Sequence, residues 1–213
     1  MSNRDNRNKV WISISRQYGS GGIEIGKMLG EKLGICCHDQ DLLEKGAAIS
    51  GIDMALSDKG LAKVANRWLY ENLTVNAESE FVGMSPQEIL RAGIENAIVT
   101  FAGEGDGIFM GRASEVVIEH HFGLKPIRVF IYAPYEARLK TVINRDLLSE
   151  EEATNRIEEI DNLRRQYFEF CKEDAMAEWG RKENYDAVFN SGTLSKEIIV
   201  DAIAAMYVDR RSL

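Results

Sequence analysis

At 213 residues the chain has the size of one large domain, or of one domain carrying a small insertion, and its 45% apolar content closes a core without a disulfide or metal scaffold. With 26 Lys and Arg against 34 Asp and Glu the net charge is −8. That balance disfavours a non-specific nucleic-acid or anionic-membrane coat, since counterion release needs a basic face; it leaves room for a local basic pocket that takes a small anion.

The amino-terminal MSNRDNRNK is polar, without the apolar core of a secretion signal, and no stretch reaches about 18 apolar residues, so a cytoplasmic protein with no membrane segment is expected. Residues 10–15 (VWISIS) are short, β-branched and apolar, the pattern of a buried strand. Glycines follow at once. Ile25, Met28, Leu29 and Leu33 then share one helical face, and Gly34 supplies the stop. Cys36, Cys37 and Cys171 form an odd set without metal-ligand spacing and read as reduced core thiols, with no zinc site. Residues 38–52 read as a short turn into a helix, with Asp39 near the N-cap and Leu42, Leu43 and Ala47 facing inward.

Residues 53–83 are the least legible and are expected to be a helical insertion bearing Trp68 and Tyr70 on its surface. Ser85-Pro86-Gln87-Glu88 opens a helix that runs to about Ala102, and glycines end it. Residues 107–111 (GIFMG), 128–133 (RVFIYA) and 185–190 (YDAVFN) are further buried-strand candidates. Ser149 with Glu152 makes a second capping box, opening a long helix into the 170s; residues 145–180 are expected to form a lid and this helix. An amphipathic helix follows Ser195. Strands alternating with helices predict an α/β fold, a parallel sheet with helices on both faces, in a single domain over residues 1–213.

The feature richest in chemistry is Ser15-Arg16-Gln17-Tyr18-Gly19-Ser20-Gly21-Gly22, between the first strand and the first helix. Glycines there also make a plain tight turn. At a strand-to-helix turn of an open α/β sheet, however, they let backbone N–H groups converge on an anion beside a helix N-terminus, which is phosphate-binding architecture. Two common motifs fail: the third glycine of a dinucleotide fingerprint falls on Glu24, and no Lys-Ser or Lys-Thr pair completes a P-loop. Arg16 is the nearest cation able to replace the missing lysine. Arg138 and Arg145 share a helical face, and Asp161, Arg164 and Arg165 share another. His38, His120 and His121 have no triad spacing, and Trp179 with Tyr185 reads as packing.

The run SRQYGSGGIEIGKMLGEKLG, followed by HDQDLL, FMGRASEVV, RVFIYAPYEARLKTVI, the Asp161-Asn162-Leu163-Arg164 segment and YDAVFNSGTLSKE, resembles the cytidylate-kinase-like family of P-loop nucleoside monophosphate kinases over nearly the whole chain. The resemblance implies a P-loop kinase-like sheet with a helical monophosphate-binding insertion and an arginine-bearing lid. Gly19, Ser20, Gly21 and Gly22, with Arg16, would hold the ATP phosphates. Asp39, Arg112, Asp161 and Arg164 would form the acceptor side, and Arg16, Arg112 and Arg164 would be catalytic. ATP and Mg²⁺ are implied as cofactors, and nucleotides, CMP or dCMP by resemblance, as partners. The chain departs from that pattern at Gly22, where the P-loop lysine would stand, at Glu24 in place of the magnesium-binding Ser or Thr, and at Ile23, Met110 and Ala113. The expected function is therefore a nucleoside monophosphate kinase, with a nucleotide-binding sensor that has lost transfer as the alternative.

Overall fold

Alternation along the first strand sets up the two layers of the molecule. In a computed structural model, which describes residues 8–49 and 86–212, β1 is Trp11–Arg16 and every residue in it is buried. Ile12 and Ile14 point into one apolar layer with Ile25 and Leu29, while Trp11 belongs to the other layer with Leu42, Ile94 and Ile98. A strand buried on both faces in this way belongs in the middle of a parallel sheet.

The elements then follow as α1 (Gly22–Leu33), β2 (Cys36–His38), α2 (Gln40–Ile49), α3 (Pro86–Glu104), β3 (Gly107–Met110), α4 (Ser114–Phe122), β4 (Ile127–Tyr132), α5 (Tyr135–Asp146), α6 (Glu150–Cys171), β5 (Ala187–Asn190) and α7 (Lys196–Ser212). The strand order is β2-β3-β1-β4-β5, and each of the four pairings is parallel. Ile199, Val200 and Ile203 of α7 join the layer that holds α1; α2, α3 and α4 cover the opposite face. The sequence expectation of a parallel sheet flanked by helices is met. The chain leaves β1 toward β2 on one side and reaches β4 on the other, so the crevice beyond the carboxyl end of β1 is where ligands bind in open α/β sheets.

Local signals account for the helix ends. Gly34 has φ +67° and closes α1 through its N–H to the Gly30 carbonyl, as expected. The capping box of α6 is present in both directions: the Ser149 hydroxyl accepts the Glu152 N–H, and the Glu152 carboxylate accepts the Ser149 N–H at 2.9 Å. At α2, Asp39 stands at the N-cap position, immediately before the first helical residue, as expected. Its carboxylate is turned toward Arg16, and Asp41 Oδ1 accepts the N–H groups of Asp39 and Leu42.

Long-range polar clasps hold the ends of the sheet. Asp106 accepts the Val10 N–H at 2.9 Å and the Tyr207 hydroxyl at 2.6 Å, and it also pairs with Arg211. Arg128 joins β4 to Asp186, just before β5: its guanidinium donates to Asp186 Oδ1 at 2.9 Å, its N–H donates to Asp186 Oδ2 at 2.8 Å, and its carbonyl accepts the Asp186 N–H at 2.8 Å. Cys36 is exposed on the short edge strand β2 and is not a core thiol; Cys37 is half-buried and Cys171 buried. The expected insertion over residues 53–83 lies outside the described residues. Among the described residues, no helix is long and apolar enough to cross a membrane.

Candidate phosphate-binding site

The glycine loop turns sharply after β1. Gly19 and Gly21 take φ +80° and +75°, the left-handed region that side chains rarely adopt. A methyl at Gly19 would also stand 2.9 Å from the Arg138 carbonyl oxygen. Inside the loop the Ser20 hydroxyl donates to the Gln17 carbonyl at 2.8 Å, and the Ser20 carbonyl accepts the Ser191 hydroxyl at 2.7 Å. The Ser20 N–H also donates to the Gln17 carbonyl, at 3.3 Å, so both donors of Ser20 bond within the loop and brace its turn. Gly22 begins α1, and a methyl there would lie 2.7 Å from Arg16 Cβ and 2.9 Å from its Cγ. The stem of Arg16 thus fills the space a side chain at position 22 would need.

Beside the loop opens a cavity of about 420 Å³, lined among others by Arg16, Asp39, Arg112, Arg145, Arg156 and Arg164. Arg16 is only 8% exposed, and its Nη2 donates to Asp39 Oδ1 at 2.9 Å. Arg164 Nη1 donates to the Arg16 carbonyl at 2.8 Å. Arg112 follows β3 in a run of three left-handed residues, Gly111, Arg112 and Ala113, with φ of 68°, 61° and 49°. Two non-glycine residues held there cost about 1–3 kcal/mol each, a concentration of strain found at ligand sites. Burial first, then repulsion from Arg16 and Arg112, brings the Arg164 guanidinium down to about 9, against the pull of Asp161 and Asp39. Such a cluster of cations favours an anion among them.

The structure redistributes several expected roles. Arg16, Arg112, Arg164 and Asp39 do meet at one cavity. The Arg16 guanidinium, however, is paired with Asp39 on the acceptor side rather than extended over the donor loop. Asp161 is 8% exposed and lies beneath the cavity wall. Its Oδ1 accepts the Tyr18 N–H at 2.7 Å and its Oδ2 accepts Arg138 Nη1 at 2.6 Å, while Arg164 stands 4.0 Å away. Both carboxylate oxygens are occupied, so Asp161 holds the glycine loop against α5 and α6. Arg138 is consumed by the same latch, donating also to the Tyr18 carbonyl at 3.2 Å. Arg145 instead reaches the cavity, gripping Asp146 through two bonds of 2.8 and 2.9 Å, with its guanidinium 4.8 Å from the Tyr18 ring. The Tyr18 hydroxyl donates to Asp146 at 2.8 Å. The hydrogen bond from Arg145 holds the Asp146 carboxyl below its ordinary value.

Glu115 is a buried carboxyl that no local spacing in the sequence marks. Glu115 Oε2 accepts the Ser13 hydroxyl at 2.7 Å, and Ser13 meets Ser114 at 2.8 Å. Burial raises the Glu115 carboxyl above its ordinary value. His38 is a packing residue with Nδ1 2.6 Å from Asp41 and its ring 4.3 Å from that of Phe101. His120 pairs on the surface with Glu173 at 2.7 Å. Trp179 and Tyr185 pack on Phe130, with ring separations of 5.2 and 5.0 Å.

The profile of the cytidylate kinase-like family matches residues 11–193. Among solved structures, the fold is similar to an uncharacterized protein from Eubacterium ventriosum, with 22% identity, a TM-score of 0.66, and coverage of 94% of this chain and 99% of that one. It is also similar to shikimate kinase from Bacteroides thetaiotaomicron, with 12% identity, a TM-score of 0.50, and coverage of 96% and 99%. At those identities the likeness concerns the fold. The uronate isomerase of Corynebacterium glutamicum is 33% identical over 109 residues, 50% of this chain and 20% of that protein. The chain thus spans about a fifth of the length of the curated relative it matches.

Proposed function

Because the chain belongs to the cytidylate kinase-like family, we propose that it transfers the γ-phosphoryl group of ATP to a nucleoside monophosphate, CMP or dCMP. The observation that carries this reading is the convergence of Arg16, Arg112 and Arg164 on one cavity beside a left-handed glycine loop. Phosphoryl transfer asks for positioning and for positive charge around three oxygens, and planar guanidinium groups supply both. The main chain of residues 19–22 cradles the donor phosphates at the start of α1. Arg112 and Arg164 hold the acceptor phosphate, Asp39 keeps Arg16 aligned between them, and α5 with α6 forms the lid that brings Arg145 and Arg156 to the cavity. An acceptor phosphate oxygen forms a bond to the γ-phosphorus as the β–γ bridging oxygen leaves with the bonding electron pair, giving ADP and the nucleoside diphosphate. The acceptor is already anionic, so no general base is required.

Magnesium takes one or two protein carboxylates when nucleotide phosphates complete its shell. Glu24 fits that demand: it stands in the first turn of α1, with Oε2 3.7 Å from a methyl placed on Gly21. When bound there, the ion supplies neutralisation of phosphate charge.

Two observations favour a second reading, a nucleotide sensor without transfer: position 22 carries no lysine, and Arg16 is already paired with Asp39. Incubation with Mg-ATP and CMP, dCMP, UMP, AMP or GMP separates the two. Turnover of any of them supports the kinase, with CMP or dCMP expected to be preferred, whereas calorimetric nucleotide binding with no turnover establishes the sensor.

A further inference from the structure

The loop glycine that stands where a kinase lysine would be leaves the donor phosphates short of a cation, and Arg16 faces the other way. A different lysine approaches the loop from the opposite end of the chain. A methyl placed on Gly21 would lie 3.2 Å from Lys196 Cε and 3.8 Å from Lys196 Nζ. Lys196 is the first residue of α7, and the turn that carries it is fastened to the loop: the Ser191 hydroxyl stands 2.7 Å from the Ser20 carbonyl and 3.0 Å from the Tyr132 carbonyl. Within that turn Asn190 accepts the Thr193 and Leu194 N–H groups at 3.2 and 3.0 Å, and its side chain accepts the Gly192 N–H at 3.0 Å.

We propose that Lys196 is a catalytic residue that supplies from α7 the positive charge the glycine loop lacks. This rests on the kinase reading of the same site. Three observations combine. The ammonium lies against the loop glycine with the left-handed backbone, so an anion cradled by the loop meets it directly. Among the described residues, no carboxylate is within ion-pair distance of Lys196, whereas Arg16 is held by Asp39 at 2.9 Å. A lysine in the first turn of a helix opposes the helix dipole, so helix stability does not explain the residue there. Its four-carbon stem lets the ammonium follow the phosphates. In the transfer step the bond between the γ-phosphorus and the β–γ bridging oxygen breaks, the phosphoryl group passes to the acceptor oxygen, and the electron pair stays on the bridging oxygen. Lys196 neutralises the charge that gathers on the β- and γ-phosphate oxygens and keeps its proton throughout.

The test compares wild type, Lys196→Ala and Lys196→Arg in turnover with Mg-ATP and in thermal shift with ATP or AMP as the probe. The expected result is a kcat lower by about 10²–10³-fold in Lys196→Ala, the scale of a lost transition-state charge contact, with partial recovery in Lys196→Arg. The ATP-induced shift falls while the AMP-induced shift and the melting temperature without ligand stay at wild-type values, since AMP carries no β or γ phosphate. If wild type turns over and Lys196→Ala matches it within about twofold, Lys196 is not the missing cation and the kinase reading stands. Equal loss of the ATP and AMP shifts, or a lower melting temperature without ligand, makes the residue structural and overturns the inference. Wild type that neither binds nor turns over ATP removes the kinase reading and the inference together.

Discussion

Arg16 and Gly22 act as one unit, because the arginine stem lies where a side chain at position 22 would project. Gly22→Ala is expected to displace Arg16 from Asp39 and to destabilise the fold by about 1–3 kcal/mol, as overpacking does. Gly103, in α3, faces open space, so Gly103→Ala is expected to be neutral or to stabilise by about 0.5–1 kcal/mol. Denaturant unfolding of the two variants checks the contrast. Arg164 carries the opposite balance, a charge held at a cost beside two other cations. Arg164→Leu is expected to keep or raise the ligand-free melting temperature while losing the shift induced by CMP; a variant that melts lower but retains the full shift contradicts that role. The cysteines separate by burial. Burial first, then Asp39, lifts the Cys37 thiol to about 11, and burial lifts Cys171 equally to about 11. At pH 8 a thiol reagent is therefore expected to modify one cysteine per native chain rapidly, and Cys36→Ser should abolish that phase. The sign for stability follows. Native Cys37 and Cys171 keep protons that the unfolded chain releases above its ordinary value of 9.0, so their contribution weakens from pH 9 toward about 11.

The helices α5 and α6 meet the glycine loop at a buried latch in which Asp161 joins Arg138 at 2.6 Å and the Tyr18 N–H at 2.7 Å, beside the bonds from Tyr18 to Asp146 and from Arg164 to the Arg16 carbonyl. Removing one charge of a buried pair strands the other, which costs about 3–5 kcal/mol, whereas removing both is often close to neutral. Asp161→Asn is thus expected to lower stability and turnover together. The double variant Arg138→Leu with Asp161→Leu should recover much of the stability but little of the turnover, because the Tyr18 N–H still loses its acceptor. Urea unfolding and initial rates on the same preparations distinguish the two effects. The boundaries of these elements were readable beforehand. Ser149 and Glu152 are three residues apart and make their capping box within one turn, and Gly34 closes α1 as expected. The strands over 107–110 and 187–190 lie within the apolar runs that predicted them. The three-residue β2 is too short to show a period of its own, and its exposed Cys36, expected as a core thiol, follows from its place at the sheet edge.

At the scale of the whole molecule, a chain of net charge −8 gathers five arginines around one cavity, so the basic lining of that cavity comes from local arrangement rather than total charge. A nucleotide at 100 times its dissociation constant stabilises a native state by about 2.7 kcal/mol, which for a domain of this size raises the melting temperature by roughly 5–10 °C. Mg-ATP is expected to produce a shift of that order, and a flat response across nucleoside mono- and triphosphates counts against any nucleotide role. The sequence by itself determined the parallel α/β architecture, the glycine loop after β1 and the membership of the family, because periodicity, caps and turn glycines act between residues a few positions apart. It also brought Arg16, Arg112 and Arg164 to notice through short motifs. Only the tertiary structure decided what each charge faces. The Arg16–Asp39 pair spans 23 positions and the Tyr18–Asp161 bond spans 143, and Lys196 reaches Gly21 from the last helix. Those meetings are created by the strand order, which places the end of β1 between β3 and β4 and beside the turn that leaves β5, and no local spacing encodes them.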